Sequence, residues 1–154
     1  MTLISEHTSG KWEGSPNDLA FKVRPFFLVF IPLCLANSIR VAIVTFSPQV
    51  KLITDLLHQV FGDQAELIPV RGEDCSWGYR GGGCCEGKQK HIASAAEELV
   101  VSNALSGLKI TRASTLLIDD DLKNVFVALD AGTRAVLCDP ANIRKMTEDL
   151  LVME

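Results

Sequence analysis

The feature that most constrains this chain is the alternation of short, continuously apolar β-branched runs with longer stretches of helical period. Arg40 to Thr45 (RVAIVT), Ser114 to Asp119 (STLLID) and Arg134 to Cys138 (RAVLC) are such runs. A strand that is apolar on both faces is one covered by helices on both sides, as in a parallel sheet. The alternation therefore predicts an α/β fold with a mainly parallel sheet. The chain has 154 residues, of which 47% are hydrophobic. That suits one domain over residues 1–154, and a chain of this size buries about 68–70% of its unfolded surface. No internal repeat is present.

Local signals divide the chain further. Residues 1–15 are polar and irregular. Ser15-Pro16-Asn17-Asp18 supplies a cap, a proline for the first helical position and an acid for the first turn. The helix it opens is expected to reach about Asn37, kinked near Pro25 and Pro32. Ser47-Pro48 caps a helix with Val50, Ile53, Leu57 and Val60 on one face, ending at Gly62. Leu67 to Val70 reads as a short strand. Residues 71–87 form a Gly-rich loop long enough to be functional or mobile. Helices follow over about 89–105 and 122–129, the latter ending near Gly132. A last helix after Asp139-Pro140 turns Ile143, Met146 and Leu150 inward.

Charge and composition exclude several classes. Lys plus Arg is 15 and Asp plus Glu is 19, a formal charge of −4. That argues against a nucleic-acid partner held by bulk electrostatics. The longest apolar run, Phe26 to Ala36, is shorter than the ~20 residues of a spanning helix and contains Pro32, so no membrane partner is expected. The first residues lack the basic and apolar regions of a secretory signal. Five cysteines, an odd number, then read as reduced cytoplasmic thiols. Cys34 and Cys138 sit in apolar runs as small hydrophobes.

Ligands of parallel α/β sheets bind at the carboxyl ends of strands. Thr45, Phe46 and Ser47 follow the first clear strand. Asp119, Asp120 and Asp121 follow the third, with Asn124 one turn on and i+4 from Asp120. Between them Gly87-Lys88-Gln89 opens a helix and offers a cation, with Lys90 as the alternative lysine. Clustered oxygens suit Mg²⁺, which takes few carboxylates and keeps water or phosphate oxygens. A hydroxyl, helix-start amides and a lysine suit a phosphoryl group. Plainer readings stand beside these. Thr45 could simply end a strand, and the three acids could cap a helix. Cys75, Cys84, Cys85 and His91 lack zinc-ligand spacing.

The ordered set resembles motifs II, III and IV of the haloacid dehalogenase (HAD) superfamily of hydrolases: apolar strand–Thr, Gly-Lys opening a helix, apolar strand–Asp-Asp-x-x-x-Asn. The likeness covers about residues 22–140. It implies a three-layer, Rossmann-like HAD domain and a Mg²⁺-dependent phosphatase. It makes Thr45 the motif II hydroxyl and Lys88 the motif III lysine, with Phe46 beside them at the phosphate. It makes Asp119, Asp120 and Asn124 the group around Mg²⁺. Motif I of the family, Asp-x-Asp-x-Thr after a central first strand, supplies the nucleophile and the general acid/base. Here Thr2 resembles the Thr of that motif, which would place the strand and both aspartates ahead of Met1. The expectation is thus an N-terminally incomplete, catalytically inert chain whose sheet lacks its central strand. The alternative is a non-catalytic pseudo-phosphatase that binds a phosphorylated partner. The intervals between Thr2, Thr45 and Lys88 leave no room for a cap domain. Similarity to capless members implies an open site for large substrates, phosphoproteins among them. The 71–87 loop, with Trp77 and Tyr79, is a candidate partial lid.

Overall fold

A computed structural model describes residues 2–8, 10–78 and 86–152. Tyr79, the Gly81–Gly83 run, Cys84 and Cys85 fall outside the described residues. The protein is mixed α/β. Helix α1 (Pro16–Ala20) starts at Ser15, whose hydroxyl accepts from the Asp18 amide while the Asp18 carboxylate accepts from the Ser15 amide. This reciprocal cap satisfies two donors that helix geometry leaves free.

The single helix expected to reach Asn37 is instead two. α1 stops at Ala20, Val23 bridges Ile4 in antiparallel fashion, and Pro25 occupies the first turn of a new helix, α2 (Pro25–Ala36). A proline has no amide to donate, so Pro25 begins a helix more readily than it interrupts one. Pro32 lies inside α2 without ending it. Phe27, Ile31 and Cys34 form the buried stripe, while Leu28, Val29 and Leu33 are exposed. Among the described residues no helix is long and apolar enough to cross a membrane.

β1 is short, Ile43–Val44, and pairs in parallel with β2 (Val70–Arg71), Ile43 opposite Val70. Between them runs α3 (Val50–Phe61), ended by Gly62, and a 3-10 turn over Gly62–Leu67. That turn occupies the start of the strand expected over 67–70. α4 (Gln89–Ser102) is followed by β3 (Leu116–Asp119), α5 (Leu122–Asp130) and β4 (Arg134–Leu137). β3 and β4 pair in parallel from Leu116↔Arg134 to Asp119↔Leu137. α6 (Ile143–Leu151) is capped by Asn142, whose side chain accepts from the Lys145 amide; Asp139 instead closes the preceding turn by accepting from Ala141.

The parallel strands thus form two two-stranded sheets, β1–β2 and β3–β4, where one was expected. They share a core. Phe27 and Ile31 of α2, Leu57 of α3, Val70 of β2, Val136 of β4 and Met146 of α6 are buried in one cluster. Ile143 and Leu150 pack against it, so α6 turns in the face its spacing predicts. A cavity of about 1110 Å³ lies between the sheets, lined by residues of both β1 and β3.

Candidate functional site

The strand ends β1 and β3 open at one mouth of that cavity, where Thr2, Thr45, Lys88, Asp119, Asp120 and Asn124 all line its wall. The three consecutive acids part company there. Asp121 is the plain helix cap: its carboxylate accepts from the Lys123 amide at the start of α5. Asp119 is 1% exposed and sits opposite Lys88, whose Nζ lies 2.7 Å from Oδ2. Its Oδ1 accepts from the Asp121 amide at 2.9 Å and from Asn124 Nδ2 at 3.1 Å. Asp120 pairs with Thr2: the Thr2 hydroxyl donates to Oδ1 at 2.8 Å, and the Asp120 amide donates back to Thr2 Oγ1 at 3.1 Å.

Asn124 is therefore tied to Asp119, not to Asp120 as its i+4 spacing suggests. The strand-to-helix corner at Asp121 breaks the helical count between them. Lys88, not Lys90, faces the acids; Lys90 pairs with Glu86 on the surface. Lys88 precedes the first residue of α4. The preceding Gly87 has φ +54, and a Cβ there would stand 3.1 Å from Val127 Cγ1 of α5. Only glycine takes that backbone conformation cheaply so close to a neighbouring helix.

Thr45 donates its amide to the Arg71 carbonyl, which fixes it at the β1 end, and its Oγ1 accepts from the Ser47 amide at 3.1 Å. The Gln49 amide donates to Ser47 Oγ. Two of the helix-start amides expected to meet a phosphate are thus taken up by side-chain turns. Thr45 Oγ1 accepts in that turn, and its own proton remains to be donated into the cavity. The Phe46 ring lies under Lys88, 5.7 Å from Nζ.

Two residues outside the sequence-derived set complete this corner. His91 is fully buried, edge-on to Phe46 at 5.4 Å and to Trp77 at 4.8 Å. Burial lowers its pKa to about 4, helped by the charge of Lys88, so it is neutral at pH 7. Its spacing of three from Lys88 is the available signal, since i and i+3 share a helix face. Trp77 is pinned by its indole N–H donating to the Gly72 carbonyl at 2.7 Å. Its ring packs edge-on against His91, which in turn meets the Phe46 ring of the cavity wall.

Among the described residues no cluster of three or more His, Cys, Asp or Glu side chains could hold a metal. Asn124 is 3% exposed and its Oδ1 is buried without a donor. A buried acceptor left so costs about 1–3 kcal/mol, and a cation would relieve it. Mg²⁺ needs only one or two protein carboxylates; of the oxygens expected around it, Asn124 Oδ1 faces Gly87, 3.6 Å from where a Cβ there would stand, and Asp120 is bonded to Thr2. Asp119 is committed to Lys88, Asn124 and a backbone amide. No protein-family model, curated protein or solved structure matches the chain.

Proposed function

We propose that this mouth is the phosphate- and Mg²⁺-binding part of a HAD-like phosphatase site, and that this chain binds a phosphoryl group without hydrolysing it. The observation that carries the reading is the buried Lys88–Asp119 pair at the end of β3. Asp119 fixes the ammonium in place, so Lys88 meets an anion with little ordering cost. The Thr45 hydroxyl is a second donor on the same cavity wall. Mg²⁺, when bound, neutralises phosphoryl oxygens. Asp120 is hydrogen-bonded to Thr2 and Asp119 is paired with Lys88, which supports binding over nucleophilic attack. In this reading the two strand pairs belong to one three-layer HAD-like sheet, with phosphorylated substrates or partners reaching the mouth without a cap domain.

The test is isothermal titration with inorganic phosphate, with and without Mg²⁺. Saturable binding is expected, weakened about tenfold or more by Lys88→Met, because a charge-assisted hydrogen bond is lost. Asn124→Ala is expected to weaken the Mg²⁺ dependence. Absence of phosphate binding at millimolar concentration, or binding indifferent to Lys88→Met, defeats the proposal. Mg²⁺-dependent turnover of an aryl phosphate, abolished by Asp120→Ala, would overturn the non-catalytic part.

A further inference from the structure

The cavity between the sheets combines a cationic mouth, polar backbone edges and apolar side-chain walls, and together these select a class of ligand. At the mouth stand the Lys88 ammonium and the Thr45 hydroxyl. Further back along the same run Arg40 also lines the cavity, with its Nε buried and without an acceptor. At ~3.3 Å per residue the run from Arg40 to Thr45 measures up to about 17 Å. The volume of about 1110 Å³ is on the scale of small-molecule sites, which take about 300–1,000 Å³.

The sides carry donors and acceptors. Among the described residues β1 pairs only with β2, and β3 only with β4. Ile43 and Thr45 donate to the Pro69 and Arg71 carbonyls, so their backbone groups face β2. The period of two then turns the N–H and C=O of Val44 toward the cavity, which that residue lines. On β3 the Thr115 and Asp119 carbonyls accept from the Arg134 and Cys138 amides, which turns the backbone of Leu116 and Ile118 into the same space. The walls between are apolar: Phe30 of α2, with Ile92, Ala95 and Leu99 on one face of α4. A bare hydrocarbon chain would leave the strand groups and Arg40 Nε dry and without partners, which is unfavourable. A uniformly polar ligand would gain nothing from the walls. A chain that alternates amides with apolar carbons meets both.

We propose that this cavity binds a small-molecule phosphate ester of an extended, amide-bearing apolar chain. This names the ligand class of the phosphate site and rests on that reading of the mouth. Lys88, held by Asp119, and the Thr45 hydroxyl donate to the phosphate oxygens. The amides of the chain pair with the backbone of Val44 on one side and of Leu116 and Ile118 on the other, and so bridge the two strand pairs. A carbonyl near the far end accepts from Arg40 Nε. The apolar carbons between the amides lie against α2 and α4. Phosphopantetheine is a probe of this class: it carries two amides, and its roughly 13 bonds from phosphorus to sulfur extend about 16 Å at roughly 1.25 Å per bond. That matches the run from Thr45 back to Arg40.

The experiment is isothermal titration of the 154-residue chain with inorganic phosphate, phosphopantetheine, pantetheine and decyl phosphate, the last below its micelle concentration. Phosphopantetheine is expected to bind about tenfold or more tighter than each of the other three, because it alone satisfies both the mouth and the edges. Arg40→Met is expected to reduce its advantage over inorganic phosphate by about tenfold. The amide resonances of Val44, Leu116 and Ile118 are expected to shift with phosphopantetheine and to stay in place with inorganic phosphate. Decyl phosphate bound as tightly as phosphopantetheine overturns the amide-bearing class. Inorganic phosphate bound as tightly as phosphopantetheine, with those three amides unmoved, overturns the inference and leaves the phosphate reading standing. Pantetheine bound as tightly as phosphopantetheine, with no binding of inorganic phosphate, overturns the phosphate reading and this proposal with it. Absence of binding by all four overturns both.

Discussion

Lys88→Met isolates the interaction on which the site is built. Removing one partner of a buried ion pair costs about 3–5 kcal/mol, because the other charge is left without compensation. Two features reduce that figure. The Lys88 side chain is 14% exposed, so part of its charge is already screened. Asp119 also keeps its hydrogen bonds from Asn124 and the Asp121 amide. The expected loss is therefore about 2–3 kcal/mol, or about 4–12 °C in Tm for a chain of this length. Asp119→Asn should cost less, about 1–2 kcal/mol, because Lys88 can turn its ammonium toward water. The double variant should be more stable than the two losses added together predict. Urea unfolding with unchanged m-values measures all three. If Lys88→Met stays within about 0.5 kcal/mol of the parent, the pair behaves as a surface contact and the argument fails.

Other outcomes are equally specific. His91 has a folded pKa of about 4, below its ordinary unfolded value, so the unfolded chain binds the extra proton. Its stabilising contribution is complete above about pH 6.5 and declines as pH falls toward 4, by roughly 2–3 kcal/mol in all. Urea midpoints from pH 7 to 4.5 should show this slope, and His91→Gln should flatten it; identical slopes would remove His91 as the cause. Gly72→Ala would place a Cβ 2.4 Å from the Ser47 carbonyl oxygen, so the turn after Thr45 must move. Lower stability together with weaker phosphate binding is expected, while Gly78→Ala, with no atom within 4 Å, should leave phosphate binding unchanged in the same titration. Met146→Ala removes a side chain 1% exposed in the main core and should cost about 2–5 kcal/mol by urea unfolding.

The sequence alone determined what local chemistry can determine. Ser15 caps a helix, Gly62 ends one, Gly132 (φ +80) follows the end of α5, and the runs at 43–44, 116–119 and 134–137 are strands, because caps, positive φ and apolar period act within a few residues. It also picked out Thr45, Lys88, Asp119, Asp120 and Asn124 as one group, since strand ends of parallel units converge. Their pairing was not legible. That Asn124 binds Asp119, that Lys88 pairs with Asp119 in particular, and that His91 is buried between two rings depend on the corner at Asp121 and on the packing of α4. The Thr2–Asp120 contact joins residues 118 apart in sequence, a separation no local pattern encodes. The space between β1 and β3 belongs to the same class. An apolar run shows that a strand will be buried, and only the tertiary structure shows which of its edges is left without a partner.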